Sequence, residues 1–169
     1  MTQHLIADAE KIEQLRGRFT LVDKDNTNWT ATYIDNDTGD KWLYYRVNTY
    51  LQGGGYPILG RQPLPDTKQL IQLSLFSESD DEIFAACRTL VDQEEIKKID
   101  FRADLIYGLE NINDKQRQEK VIKLTGLDST LNRQEILGKT VAQIDFDAKY
   151  YKDIADRANK IKQRTNAQQ

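Results

Sequence analysis

Residues 53–65 read GGGYPILGRQPLP and divide the chain into two parts of different character. All three prolines of the chain, Pro57, Pro63 and Pro65, fall in this stretch. Before it, short runs of aromatic and β-branched residues alternate with polar turns, whereas after it apolar residues recur every three or four positions. The first pattern is typical of strands and the second of helices. The change of period predicts an α+β fold.

The part before residue 53 predicts a small antiparallel β-meander within about residues 18–50. Its three strands are expected at residues 19–22, 29–34 and 42–47, with the polar turns 23–28 and 35–40 between them. Trp29 and Trp42 stand at strand positions, where aromatic side chains usually pack in the core. Ahead of the meander, one apolar stripe over residues 5–16 predicts a short helix that ends at Gly17.

The part after residue 65 predicts an irregular helical bundle over about residues 66–163. Asp66 is a candidate N-cap, although residues 73–76 also fit a strand. Ser79 and Glu82 have the spacing of a capping box. Further helices are expected after the pair Asn113 and Gln116, after Ser129 or Thr130 (with Ile136, Leu137, Val141 and Ile144 on one face), and over residues 146–161.

The length of 169 residues fits a single domain, with a β-rich part at 1–65 and a helical part at 66–169. Cys87 is the single cysteine and His4 the single histidine, which excludes a disulfide framework and argues against zinc sites and histidine-based catalysis. The first residues lack the pattern of a signal peptide, and no apolar run approaches membrane-spanning length. We therefore expect a cytoplasmic protein with no membrane partner.

Two motifs suggest ligand sites but lack essential parts. Gly53, Gly54 and Gly55 are followed by Tyr56 and Pro57, not by the Lys-Ser/Thr pair of a phosphate loop, so a structural turn is the better interpretation. The turn with Asp35, Asp37 and Asp40 lacks the glycine and glutamate positions of a calcium loop. The sequence predicts neither a metal nor a cofactor.

The charge is distributed unevenly along a chain of net charge −3. Residues 66–110 hold 11 acidic and 5 basic residues, a net charge of −6. The acidic residues that we predict to bind a partner are Glu78, Asp80, Asp81, Glu82, Asp92, Glu94 and Glu95. Such a segment suits a basic protein partner, although acids also favour the first turn of any helix without a further role. The basic last helix is diluted by acids, so we expect no nucleic-acid binding.

One stretch resembles a known family. Asp35-x-x-Thr38-Gly39-x-x-Trp42, followed after ten residues by Gly53-Gly54-Gly55-x-Pro57-x-Leu59, resembles the bacterial immunity protein 27 family over about residues 35–59. The resemblance identifies Trp42, the three glycines and Pro57 as structural motif residues. It implies a non-enzymatic protein that neutralises a cognate polymorphic toxin by binding it. Leu43 and Gln52 depart from the family pattern, which tends to an acidic residue and a histidine there.

Two other classes of function remain open. The helical half also suits an adaptor or scaffold in a larger assembly. An enzyme would need a convergent group of titrating side chains, for which only the acidic segment around Glu78 to Glu82 offers a carboxylate pair. The oligomeric state is not indicated by the sequence.

Overall fold

The computed structural model describes residues 3–166, with side chains for residues 3–164. Within this range the elements are, in chain order, β1 (Leu5–Ile6), α1 (Ala9–Arg18), β2 (Thr20–Asp25), β3 (Thr30–Ile34), β4 (Lys41–Val47), β5 (Tyr56–Arg61), α2 (Thr67–Phe76), α3 (Asp80–Lys97), α4 (Arg102–Glu110), α5 (Lys115–Thr125) and α6 (Val141–Asn166). All five strands precede residue 62, and five of the six helices follow residue 66. The α+β prediction is confirmed.

The five strands form one antiparallel sheet in the order β1-β5-β4-β3-β2. The predicted meander corresponds to β2, β3 and β4, whereas β1 and β5 are two further strands of the sheet that were not predicted. Proline is rarely tolerated inside a sheet because it lacks an N–H group. Pro57 is accommodated in β5 because β1 pairs only with Leu59 and Gly60, so the described chain places no strand beside Pro57 on that edge.

The predicted helix at residues 5–16 is wrong in its first residues. Leu5 and Ile6 pair with β5 and are buried, and the helix begins only after Asp8, whose side chain accepts a hydrogen bond from the N–H of Lys11 at 2.9 Å. Gly17 does not end the helix, which continues to Arg18. A buried two-residue strand and the apolar stripe of a helix look alike at this length, so spacing alone did not separate them.

After residue 65, α2, α3 and α5 begin at residues whose side chains cap the first turn, whereas α4 begins after Phe101 without a side-chain cap. Asp66 forms a complete capping box with Gln69 at the start of α2, which includes residues 73–76 and excludes the strand alternative. Asp114, not Asn113, caps α5. At α3 the hydroxyl of Ser79 accepts from the N–H of Glu82 at 3.3 Å, but the Glu82 carboxylate binds other groups, so only half of the predicted box forms.

The helix expected after Ser129 or Thr130 is wrong. Residues 126–140 contain turns and no helix, and α6 begins at Val141 behind a box in which Thr140 and Gln143 exchange hydrogen bonds. Gly138 has a φ of +84°, which interrupts any regular helix at this point. The last helix is longer than predicted and already contains Val141 and Ile144.

The chain divides into two compact units, Met1–Thr89 and Leu90–Gln169, and the division falls inside α3. In the first unit, the core joins α1 to the sheet through Ile12, Phe19, Tyr33, Trp42 and Leu59. The Phe19 and Trp42 rings lie 5.9 Å apart. In the second unit, α6 packs against α4 and α5, with a core that includes Leu105, Ile106, Leu109, Ile122 and Ile154.

Candidate functional site

The seven acidic residues proposed for partner binding fall into two groups. Residues 78–82 belong to the first unit and residues 92–95 to the second. Glu78 and Asp80 are exposed, whereas Asp81, Asp92 and Glu95 are half-buried. Glu82 and Glu94 are buried, with exposed fractions of 6% and 0%. The acidic segment is therefore not one continuous charged surface.

Two carboxylates at the start of α3 hold the N-terminal segment in place. Glu82 accepts hydrogen bonds from the backbone N–H of His4 at 2.6 Å and from the Ser77 hydroxyl at 2.6 Å. Asp81 accepts one from the N–H of Ala7 at 3.0 Å. Buried backbone N–H groups need such partners. This corrects the expectation for Glu82, whose charge satisfies the backbone of this unit and is not available to a binding partner.

Asp81 is the carboxylate of this group with a perturbed pKa. Burial raises its pKa above the ordinary value, and the hydrogen bond from Ala7 only partly opposes the effect. A raised pKa means that the ionised form is disfavoured in the folded protein, so Asp81 lowers stability as the pH rises through its folded pKa.

Glu94 is the centre of a buried ion-pair network in the second unit. Its two oxygens accept from Arg102 Nε at 2.6 Å and Nη2 at 3.1 Å, and a third hydrogen bond comes from Arg133 Nη1 at 3.2 Å. Arg102 is fully buried and also donates to the carbonyl oxygens of Ser129 and Leu131. Glu94 therefore ties the loop that follows α5 to α3 and α4. This corrects the prediction that it contributes to a docking surface.

The three glycines form a left-handed turn between β4 and β5. Gly53, Gly54 and Gly55 have φ angles of +88°, +75° and +73°, a conformation that residues with a Cβ atom rarely adopt. Arg46 donates from Nε to the carbonyl of Gly54 at 2.7 Å and from Nη2 to that of Gly55 at 2.9 Å. The predicted structural turn is confirmed in its backbone conformation, and Arg46 fixes its carbonyl groups.

Trp29 lies at the end of the β2–β3 hairpin and is 72% exposed. This corrects the expectation that it packs in the core, where Trp42 does lie, 6% exposed. Its φ of +56° is an unfavourable backbone conformation for a bulky residue. The hairpin loop is held by Asp25, whose carboxylate accepts from the N–H of Thr27 at 2.8 Å and from the Asn28 amide at 2.6 Å. The loop thus presents a large apolar ring to solvent.

The exposed ring and the glycine turn line one cleft of the first unit. The cleft has a volume of about 650 Å³, and its lining residues are Thr27, Asn28, Trp29, Arg46, Thr49, Gly53 and Gly54. Tyr50 and Leu51, in the loop before the glycines, are 52% and 37% exposed. The hydrogen bonds from Asn28 lower the pKa of Asp25, so this carboxylate stays ionised in the same hairpin.

This arrangement can bind a protein surface, since tryptophan, tyrosine and arginine dominate the binding energy of most interfaces. A strained, exposed aromatic residue has no role in the core, and strained backbone positions often cluster at functional sites. The sequence carried one signal that was missed. Trp29 directly follows the polar turn residues 23–28, so it belongs to the hairpin loop and not to the strand interior.

A cleft of about 450 Å³ in the second unit contains ionisable groups that are paired with one another. The Tyr150 hydroxyl donates to Asp100 at 2.6 Å, and burial together with this bond raises the Tyr150 pKa. Lys139 forms an ion pair of 2.5 Å with Asp147, which raises the Lys139 pKa. These pKa values keep Tyr150 neutral and Lys139 charged, so neither is poised for proton transfer near neutral pH.

Within residues 3–166, no group of three or more His, Cys, Asp and Glu side chains is arranged to hold a metal ion. Nor does any helix in the described range have the length and apolar character needed to cross a membrane. No family model, curated protein or solved structure matches the chain.

Proposed function

We propose that this chain is a non-enzymatic immunity protein that binds and neutralises a cognate bacterial toxin domain, with the Trp29 cleft as its docking surface. The observation that carries the proposal is a tryptophan that is 72% exposed at a φ of +56°, on the rim of a cleft large enough for a partner side chain. An exposed tryptophan ring does not contribute to the packing of the protein's own core, whereas it can supply much of the binding energy of an interface.

Two further features support the proposal. The glycine turn that forms one wall of the cleft belongs to the segment, residues 35–59, that resembles the immunity protein 27 family. The hairpin that carries Trp29 also holds the exposed Asp23 and the ionised Asp25 with Lys24 between them, a net charge of −1. A net negative charge on the hairpin that carries the apolar anchor favours a basic partner, because complementary charge speeds association and sets specificity.

The acidic residues that remain accessible have a secondary role in binding the toxin. Glu78 and Asp80 in the first unit, and Asp92 and Glu95 in the second, contribute to the negative field that attracts a basic toxin. The proposed site of action is the cytoplasm, and the binding needs no cofactor. Charge at these positions affects the association rate more than the affinity, which the apolar anchor supplies.

The test is co-expression with the toxin gene adjacent to this gene, with Trp29→Gly as the decisive variant. Glycine removes the ring and also relieves the positive φ, so the folded protein should be at least as stable as the native one. We expect the variant to lose protection of the cell and to bind the purified toxin domain at least about a hundredfold more weakly. The matched control is Phe76→Ala, because Phe76 is a 60% exposed aromatic residue of the same unit that does not line this cleft.

Full protection by Trp29→Gly would remove the cleft from the proposal. Failure of the native chain to bind any toxin encoded beside it would remove the immunity function and would favour the adaptor or scaffold function.

A further inference from the structure

The strand β2 forms one edge of the sheet and is exposed on both of its faces. It pairs with β3 alone, and within residues 3–166 no strand lies along its other side. Five of its six residues are exposed, and the apolar side chains of Leu21 and Val22 are 50% and 54% accessible. The free side of such a strand presents unpaired N–H and C=O groups, to which an extended chain can add as a further strand.

The opposite edge of the same sheet is closed by a side chain. The backbone N–H groups of His4 and Leu5, at β1, donate to the Glu82 carboxylate at 2.6 Å and 3.3 Å. In the part of the chain that the structure describes, no side chain makes a hydrogen bond to the backbone of residues 20–25. The sheet therefore has one closed edge, at β1, and one open edge, at β2.

The register of β2 against β3 determines on which face each of its charges lies. Lys24 is opposite Ala31, which is buried in the core with α1, and directly opposite residues share a face of the sheet. Asp23 and Asp25 lie on the other face. A strand added beside this segment would therefore meet a carboxylate at every second position, and basic side chains at the matching positions of that strand would be complementary to it.

A second copy of this chain is a poor occupant of the open edge. Antiparallel pairing of residues 23–25 with the same residues of another copy would set Asp23 opposite Asp25 and Lys24 opposite Lys24. Like charges directly opposite one another destabilise a pair of strands. The charges of β2 thus favour an extended segment of a different, basic protein.

The open edge leads directly into the site proposed for the toxin. The loop that follows β2 carries Trp29, which lines the cleft together with the glycine turn. A strand that lies along residues 23–25 has one end at this loop. One partner can therefore occupy the edge and the cleft together.

We propose that the toxin domain binds by adding one of its own strands to the free edge of β2, with basic side chains opposite Asp23 and Asp25. This inference rests on the proposed function and names the contact made beside the Trp29 cleft. Main-chain hydrogen bonds to β2 position the partner, and the alternating charges of β2 select the segment that pairs with it.

Hydrogen exchange resolved by residue with NMR tests the proposal. It compares the full chain alone with the chain saturated by the purified toxin domain encoded by the adjacent gene. The β2 N–H groups that point away from β3 should exchange at least about tenfold more slowly in the complex, because they become hydrogen-bonded to the added strand. The β2 N–H groups already bonded to β3 are the internal reference.

A charge reversal tests the position of the basic side chains. Asp23→Lys should raise the dissociation constant of the toxin domain about tenfold, since one attractive cross-strand pair becomes repulsive. The matched control is Asp37→Lys, which makes the same change of charge at an exposed position in the turn between β3 and β4 and should change the dissociation constant by less than about threefold. Both positions are exposed, so circular dichroism should show the same fold in both variants.

The outcomes separate this inference from the proposed function. Protection at residues 27–29 and 49–54 without protection of the β2 edge would overturn strand addition and leave the proposed function standing. Equal weakening by Asp23→Lys and Asp37→Lys would overturn the pairing of basic side chains with β2. Protection of β2 in the free chain that grows with its concentration would assign the edge to a second copy. Failure to bind any adjacent toxin would remove both proposals.

Discussion

Alanine substitutions in the glycine turn should distinguish two reasons why glycine is needed there, namely the positive φ angle and the lack of space for a Cβ atom. At Gly53 a Cβ atom would have no other atom within 4 Å, so only its φ of +88° opposes a side chain. At Gly55 the φ is similar, but a Cβ atom would lie 2.1 Å from the carbonyl oxygen of Val47 and 2.7 Å from that of Asn48. Backbone atoms cannot rotate away as a side chain can, so the turn itself must shift.

The expected losses in the free energy of unfolding follow from these two effects, the positive φ and the overlap of the Cβ atom with the backbone. Gly53→Ala should lower the free energy of unfolding by about 1 kcal/mol, the cost of a left-handed conformation for a residue with a Cβ atom. Gly55→Ala carries the same cost and a further overpacking cost of about 2 kcal/mol or more, for a total of about 3 kcal/mol. Gly54→Ala should resemble Gly53→Ala, because the nearest atom to its Cβ is Arg46 Nη2 at an ordinary 3.9 Å.

Urea denaturation followed by tryptophan fluorescence is the appropriate assay. Both tryptophans of the chain, Trp29 and Trp42, lie in the unit that contains the glycines, so the signal reports on that unit. The reasoning is refuted if Gly53→Ala and Gly55→Ala shift the transition midpoint equally, or if Gly55→Ala is the milder change.

Further predictions concern the carboxylates. Glu94→Gln should destabilise the second unit by about 3–5 kcal/mol because it leaves the buried Arg102 without a counter-charge. The control Glu95→Gln, at the neighbouring half-buried position, should change the free energy of unfolding by less than about 0.5 kcal/mol. Thermal melts followed by circular dichroism at the helical minimum compare the two variants. Asp81→Asn keeps an oxygen that can accept from the Ala7 N–H but removes a carboxylate whose ionised form is disfavoured by burial. The variant should therefore have a higher melting temperature than the native protein near neutral pH. That gain should shrink as the pH falls below the ordinary carboxyl range, where Asp81 is protonated in both states; a melting-temperature difference that is constant with pH would contradict the assignment.

The sequence predicted those features of the fold that local chemistry determines. The strands of the meander follow from alternating aromatic and β-branched runs, and the cap at Asp66 follows from an acid three residues before Gln69. The change of pattern at residues 53–65 located the boundary between strands and helices. The two missed strands depend on distant partners, because Leu5 and Ile6 become a strand only through pairing with Gly60 and Leu59.

The site could be predicted only in part for a related reason. Acidic residues at 82 and 94 look alike in a sequence, but one binds backbone N–H groups of the N-terminal segment and the other is paired with a buried arginine. His4 lies 78 residues before Glu82, and Arg102 lies on a different helix from Glu94, so no local sequence pattern indicates either pairing. Trp29 was misassigned because its strand-like composition outweighed its position directly after a polar turn.

Hydrogen exchange of the chain with and without the toxin domain tests the central claim most directly. If the Trp29 cleft is the docking surface, the amides of its two lining segments, residues 27–29 and 49–54, should become protected in the complex. Backbone protection confined to the start of α3, around Glu78 and Asp80, with no change at the hairpin and the glycine turn, would contradict the account.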